Sequence, residues 1–548
     1  MTPLHIAAKL GYIDIVEDLL NHGASINFLT LTERYTPIHF AVENGTSVVI
    51  TMLLSRGANF DVQGEDGMTP LHIAAKQGFI DIAEDLLNHG ASTHFLTLKE
   101  RYTPLHFAVE KCSIAITLSL LRAGANGDIK GENDMTPLHV SAKTECKEII
   151  EILLRHATST RALTLKERYT PLHFAAKLGN EEVVHVFLNR GANINSSTKE
   201  NSTPLLIATK KGHESVTRLL LQHGAKVDHQ DTDGKTILHY AVEKRHLIIV
   251  KDVLKYCPGI NNKSNRSSLK TAVFECGEEY KQIVETLLEY GFIVNPTDTN
   301  NPVLLHTAVK KGYYKIVEEL LKYGADVNTL NDSTYEEGFT PLHTATKYKQ
   351  EEVARLLVSY GADINTQDKT GKTPIFYSIE NSDLKITKLL LSNKAIVRDN
   401  PELLNTAAQK SCIEIVKALL HYDGDINASD KYGRTALHFT ALSGRENVTF
   451  FDDFLYTEKE PFVNVMGKIA KLLLSKGANV EAQTKDGVNV NAKQNNKFPA
   501  LHYAIQNGYI KVVKLLLERG AKVEYKVKGA TPLHLGAEKG YIEIVKTL

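Results

Sequence analysis

Residues 68–92 read M-T-P-L-H-I-A-A-K-Q-G-F-I-D-I-A-E-D-L-L-N-H-G-A-S. Thr69 stands where a helix N-cap belongs, with a hydroxyl able to accept a backbone N–H of the first turn. Pro70 follows at the first helical position, where its missing N–H costs nothing. Leu71, Ala74 and Ala75 give this short helix one apolar face, and the alanines permit close approach. Gly78 ends it, because the left-handed residue that follows a helix is cheap only for Gly. Asp81 suits the positive end of a second helix. The stripe of that helix is Ile82, Ala83, Leu86 and Leu87, with Glu84, Asp85, Asn88 and His89 outside and Gly90 closing it. Two such helices cannot bury their own faces, so the unit needs a neighbour on each side.

The chain supplies them. T-P-L-H recurs at Thr2, Thr36 (as T-P-I-H), Thr69, Thr103, Thr136 and Thr170. Looser starts fall at Thr203, Thr236, Ser267, Val303, Thr340, Thr373, Glu402, Thr435, Pro499 and Thr531. G-x-x-x-I-V-x-x-L-L and G-A-x-[VI]-[ND] follow in order after most of them, at steps of about 33 residues. On these motifs the chain resembles the ankyrin-repeat family over nearly its whole length, with about sixteen units. The resemblance implies an all-α solenoid of helix–turn–helix units joined by β-hairpin fingers, a single elongated, curved superhelix over residues 1–548.

Composition narrows the function classes. A chain of 548 residues would ordinarily hold several globular domains, but a solenoid grows without a closed core. Lys+Arg and Asp+Glu are both 64, which argues against nonspecific nucleic-acid binding. Cys112, Cys146, Cys257, Cys276 and Cys412 are odd in number and form no C-x-x-C, so neither a disulfide framework nor a zinc knuckle is expected, and a reducing compartment is the natural home. Met1 runs straight into Thr2-Pro3 without a signal peptide, and no apolar run approaches the roughly 20 residues of a membrane helix. With no polar capping repeat at either end, the sequence reads as a fragment of a longer chain or an incomplete gene model.

Residues 1–202 carry regular two-repeat duplications. L-T-L-T-E-R-Y-T-P ends at Pro37, and L-T-L-K-E-R-Y-T-P ends at Pro104 and Pro171, where the other fingers use D-x-x-G, as in Asp231–Gly234 and Asp430–Gly433. These three fingers are expected to differ in shape. Repeats across 203–434 are more degenerate: Asn261 to Ser268 reads as a polar loop, the finger from Thr329 to Gly338 is longer, and the unit at Thr373 ends in Asn393 in place of Gly. Across 435–498 one repeat is interrupted, by an aromatic and acidic insert from Arg445 to Met466 and by extra finger length from Val488 to Asn496, its second helix resuming near Lys468. The terminal repeats occupy 499–548, the last incomplete.

No catalytic, cofactor or metal constellation emerges. Stacked helices lie about 8–10 Å apart, too far for successive first-helix histidines (His5, His39, His72, His106, His139, His173) to share an ion. The family resemblance implies a structural hydrogen-bonding role for them. Gly234-Lys235-Thr236 and Gly371-Lys372-Thr373 lack the earlier glycine of a phosphate loop, since His229 and Thr366 stand there.

Surfaces remain. By the resemblance, the two residues after A-A face the concave groove, and lysine dominates there: Lys210, Lys211, Lys310, Lys311 and Lys347-Tyr348 are the candidates for an acidic partner. Arg34-Tyr35, Arg101-Tyr102 and Arg168-Tyr169 recur every second unit, roughly 20 Å apart. Tyr and Arg often carry interface energy, so this row is a candidate site for a periodic partner or one extended peptide. The implied function is a cytoplasmic, monomeric scaffold that binds protein partners, without catalysis or cofactor, and touches neither nucleic acid nor membrane. Alternatives are the substrate-recognition part of a ubiquitin-ligase adaptor or larger protein, the repeat region of a latrotoxin-like toxin, and an intracellular bacterial effector.

Overall fold

The computed structural model describes residues 1–257, 259, 267–274, 278–295, 304–331, 336–398, 400–442, 462–484, 498–527 and 529–548. Among these, sixteen helix pairs follow one another, from Pro3–Leu10 with Ile13–Asn21 to Pro532–Glu538 with Ile542–Thr547. They fall into two compact units, Met1–Ala272 with Glu289–Phe292, and Val273–Leu288 with Ile293–Leu548.

Within the first unit each first helix packs on the first helices either side of it. Pro70–Gln77 lies against Pro37–Glu43 and Pro104–Glu110, and its partner Ile80–Asn88 lies against Ser47–Ser55 and Ile114–Arg122. Leu71, Ala74, Ala75, Ala83 and Leu86 are fully buried, as the apolar stripe requires. Gly78 takes φ +83, the left-handed turn that frees the chain for its second helix. The second unit repeats this packing: Pro341–Lys347 lies against Leu304–Lys311 and Pro374–Glu380.

Within each unit, two kinds of hydrogen bond tie several successive repeats together. The Asn or Asp that ends G-A-x-[VI]-[ND] accepts a backbone N–H one repeat on: Asn27 Oδ1 from Asn59 (2.8 Å), Asp61 Oδ1 from Ser92 (2.9 Å) and, in the second unit, Asn328 Oδ1 from Asp363 (2.8 Å). At the fingertips the Leu98 N–H donates to the Asp66 carbonyl (2.7 Å), Glu132 to Glu100 (2.6 Å), Leu165 to Asn133 (2.8 Å) and Lys199 to Glu167 (2.9 Å). One such bond per step is too sparse for a ladder. Among the described residues no strand forms in the fingers, which carry isolated antiparallel bridges, such as Asn331 to Phe339, in place of the β-hairpins expected.

Four other expectations change. The helix after the insert is Phe462–Ser475, with Met466 fully buried, so it begins before Lys468 and takes in the last residues of the segment read as insert. Register survives the interruption: the Asn479 N–H donates to Asn427 Oδ1 (2.7 Å) and His438 Nε2 to the Phe498 carbonyl (3.1 Å). The rest of the insert, the finger from Val488 to Asn496, residues 261–266 and Cys276 lie outside the described residues. Ser267 and Ser268, read as loop, begin the helix Ser267–Phe274. At the end of Leu384–Ser392, Asn393 stays at φ −100 and Lys394 takes the left-handed turn at φ 67, because the left-handed residue comes one place later than supposed. Finally, Cys112 and Cys146 are joined by a disulfide, their Cα atoms 6.1 Å apart across 34 residues of sequence. Counting cysteines could not reveal this, because the pairing depends on repeat register.

Candidate functional site

The T-P-L-H histidines are the ties that place the fingers. The Thr69 N–H donates to His72 Nδ1 (3.1 Å), and the Thr69 hydroxyl lies 2.7 Å from the same nitrogen. A nitrogen that accepts a backbone N–H carries no proton, so the proton sits on Nε2. That N–H reaches the Phe95 and Tyr102 carbonyls of the following finger, each at 3.1 Å. His39, His106, His139 and His173 repeat the arrangement with carbonyls of Met68, Met135, Tyr169 and Ser196. Burial lowers the pKa of each of these five to about 4, so each ring is neutral near pH 7. Among the described residues no cluster of three or more His, Cys, Asp or Glu is placed to hold a metal.

The three L-T-L-x-E-R-Y fingers differ from the others as their sequence suggests. In the ordinary finger the Asp231 N–H donates to the Lys235 carbonyl (3.1 Å), and Asp231 Oδ1 accepts from Asp233 and Lys235 (each 3.0 Å). In the L-T-L type, Thr30 replaces the aspartate: its N–H donates to the Tyr35 carbonyl (2.9 Å) and its Oγ1 accepts from the Tyr35 N–H (3.0 Å). Thr97–Tyr102 and Thr164–Tyr169 do the same. This loop is one residue longer. Arg34, Arg101 and Arg168 occupy its left-handed position at φ 53, 53 and 58, where Gly234 stands in the ordinary finger.

The longer loop pushes a leucine outward. Leu31, Leu98 and Leu165 are 97%, 76% and 69% exposed. Beside them Arg34, Arg101 and Arg168 are exposed and make no ion pair among the described residues. Tyr35, Tyr102 and Tyr169 are half-buried and turn the other way. Tyr35 stacks on His39 (centroids 4.8 Å apart, 12° between planes) and meets Phe40 edge-on (5.5 Å). Tyr102 repeats this on His106 and Phe107, and Tyr169 more loosely on His173 and Phe174. The Tyr35 and Tyr102 rings also cover Gly64 and Gly131 of the next finger, where any Cβ would collide with them. Sequence reasoning singled out arginine and tyrosine and passed over the leucines. The usable signal was an apolar residue held in all three copies of a turn that has no core to fill.

The candidate lysines divide. Lys210 Nζ lies 3.2 Å from Asp231 Oδ2 and 4.3 Å from the centre of the Tyr240 ring. Burial alone would raise the pKa of Asp231, but hydrogen bonds from Tyr240, the Lys235 backbone and Lys210 outweigh it and hold the carboxyl below its ordinary range. Lys310 and Lys347 share Glu336 (3.3 and 3.9 Å), which also accepts the Tyr348 hydroxyl (2.7 Å). Lys211 and Lys311 are exposed and make no ion pair among the described residues.

Family models described as ankyrin repeats match residues 1–64, 38–130, 105–198, 188–266, 253–331, 305–400 and 463–548, and a second ankyrin-repeat model matches 404–451. The chain belongs to the ankyrin-repeat family. Ankyrin relatives include putative ankyrin repeat protein FPV031 of fowlpox virus (strain NVSL), 41% identical over 95 residues, covering 17% of this chain and 28% of that protein. The mouse B-cell lymphoma 3 protein homolog is 32% identical over 93 residues, 17% of this chain and 21% of that protein. The chain thus spans less than a third of the length of either relative. Among solved structures, the human ASB11 ankyrin repeat domain aligns at 28% identity and TM-score 0.37, covering 41% of this chain and 99% of that one. No described helix is long and apolar enough to cross a membrane.

Proposed function

We propose that the chain is a protein-recognition scaffold without catalysis of its own, which engages its partner through the fingers of the duplicated repeats at 1–202. The observation that carries this is the exposure of Leu31, Leu98 and Leu165 beside the unpaired Arg34, Arg101 and Arg168. A solenoid gains nothing by holding a leucine in water, and three identical copies roughly 20 Å apart suit an extended segment that alternates apolar and acidic side chains. Three linked contacts gain avidity without any one being strong. Tyr35, Tyr102 and Tyr169 set the shape of these fingers and lend the partner their exposed ring edges. On the inner helix face, Lys211 and Lys311 are the ammonium groups offered to an acidic surface, while Lys210 is held by Asp231, and Lys310, Lys347 and Tyr348 by Glu336. In this reading the chain acts as a cytoplasmic monomer on protein, not on nucleic acid. The ligase-adaptor, toxin and effector alternatives keep the same recognition role and differ in what accompanies it.

The test compares proteins retained by the wild-type chain and by Leu31→Ser/Leu98→Ser/Leu165→Ser. Melting curves should coincide, because these side chains pack on little. The variant should lose a specific set of partners that any single change only weakens. An unchanged set would sink the finger reading.

A further inference from the structure

We propose that Cys112 and Cys146 form a thiol–disulfide exchange site, opened by low-molecular-weight thiols and closed by low-molecular-weight disulfides, that locks the fourth repeat to the fifth. The pair falls on a contact that recurs along the stack. In several repeats the residue just past the first helix approaches the N-cap residue of the next repeat's second helix. A Cβ on Gly11 would press on Thr46, on Gly45 against the Phe79 ring, and on Gly179 and Gly212 into the rings of His213 and His246. Cys112 holds the first of these positions after Pro104–Glu110, and Cys146 holds the second as N-cap of Lys147–Arg155. Register therefore brings the two sulfurs together.

Two features suit this bond to exchange. Cys112 is exposed, so an attacking thiolate can reach it. Cys146 caps a nine-residue helix without any side-chain capping bond, and a helix N-terminus favours a thiolate, which makes Cys146 the better leaving group. The stack does not depend on the bond. Equivalent contacts at Gly45 and Gly179 are not covalent, and the same interface keeps its Glu132-to-Glu100 and Ser159-to-Asp128 hydrogen bonds (2.6 and 2.8 Å).

Opening takes two displacements. A thiolate RS⁻ attacks the Cys112 sulfur, the protein S–S bond breaks, and Cys146 leaves as thiolate. A second RS⁻ attacks the R-side sulfur of the mixed disulfide and releases the Cys112 thiolate with RSSR. Two thiols are oxidised to one disulfide as the protein disulfide is reduced to two thiols, and closing is the reverse. Cys257 and Cys412 are free, and neither has this geometry.

The test equilibrates the full chain in reduced and oxidised glutathione at graded ratios, quenches with acid, alkylates, and reads each cysteine by peptide mass spectrometry. Cys112 and Cys146 should open together over about a hundredfold range in the ratio of squared thiol to disulfide, as a two-electron couple does. Circular dichroism should stay constant throughout. With Cys146→Ser, a single glutathione should accumulate on Cys112. A bond that stays closed at every ratio while the chain is folded would overturn the proposal. So would separate glutathione adducts on the two wild-type cysteines without a cross-link.

Discussion

Acid should unfold this protein well before its carboxylates titrate. His39, His72, His106, His139 and His173 hold consecutive repeats, each buried and with a pKa lowered to about 4 by that burial. In the unfolded chain the same rings titrate near 6.5. The folded pKa lies below the unfolded one, so the unfolded state takes up protons first, and stability falls as pH drops from about 6.5 to about 4. Linkage gives a loss of about 2 kcal/mol per histidine between pH 8 and pH 5. Five in a row lose about 10 kcal/mol, comparable with the whole stability of an ordinary domain, about 5–15 kcal/mol. The chemistry agrees: protonating Nδ1 removes the acceptor for the Thr69 N–H and leaves a cation in the core. Asp231, Asp368 and Glu336 have lowered pKa values, so what they contribute is complete above the ordinary carboxylate range and is lost only as pH falls through and below it. The window above about pH 4.5 therefore belongs to the histidines. Urea melts at a series of pH values, followed by far-ultraviolet circular dichroism, should show stability dropping steeply between pH 6.5 and 5, with uptake of roughly one proton per tie histidine on unfolding near pH 5. Stability that is flat from pH 7 to 5 would refute the neutral-tie account.

Two further outcomes follow from particular residues. Pro499 stands where the cap threonine belongs and offers neither N–H nor hydroxyl, and His502 Nδ1 is buried without a partner. Pro499→Thr should therefore raise stability by about 1–2 kcal/mol and slow amide exchange across Ala500–Gln506. Changing Tyr35, Tyr102 and Tyr169 together to Ala should cost about 1–2 kcal/mol for each half-buried ring, whereas the triple change to Phe should melt like wild type because it keeps the rings that stack on the histidines and phenylalanines. Equal melting of the Ala and Phe variants would show that the rings do not shape the fingers.

The fold was legible in the sequence because an ankyrin unit states its own local rules. Thr69-Pro70 starts a helix, Gly78 ends it, and the apolar stripe of Ile82 to Leu87 demands a neighbour. Each rule acts within a few residues, so each can be read without the rest of the chain. What escaped reading depends on contacts about one repeat apart. The cysteines looked unpaired because their number is odd and none forms a C-x-x-C, yet residues 34 apart are neighbours once the repeats stack. Likewise Lys210, Lys310 and Lys347 look like free groove charges in sequence, while the fold sets Lys210 and Lys310 against an acid of the finger that follows, and Lys347 against Glu336 of the finger before it.

The fingers show why a repeated motif does not by itself mark a contact surface. L-T-L-x-E-R-Y was copied whole, so all its residues recur equally, and recurrence cannot say which of them face a partner. Geometry separates them. Threonine clamps the turn, tyrosine fills the gap above the next finger's glycine, and arginine sits in the conformation that glycine takes elsewhere. Threonine and tyrosine are accounted for by the fold. Leucine and arginine are not: each sits in water, and the left-handed arginine carries a strain that glycine would relieve. A chain selected for stability alone would shed both, which is why the leucines and arginines, more than the tyrosines, are the residues on which recognition should turn.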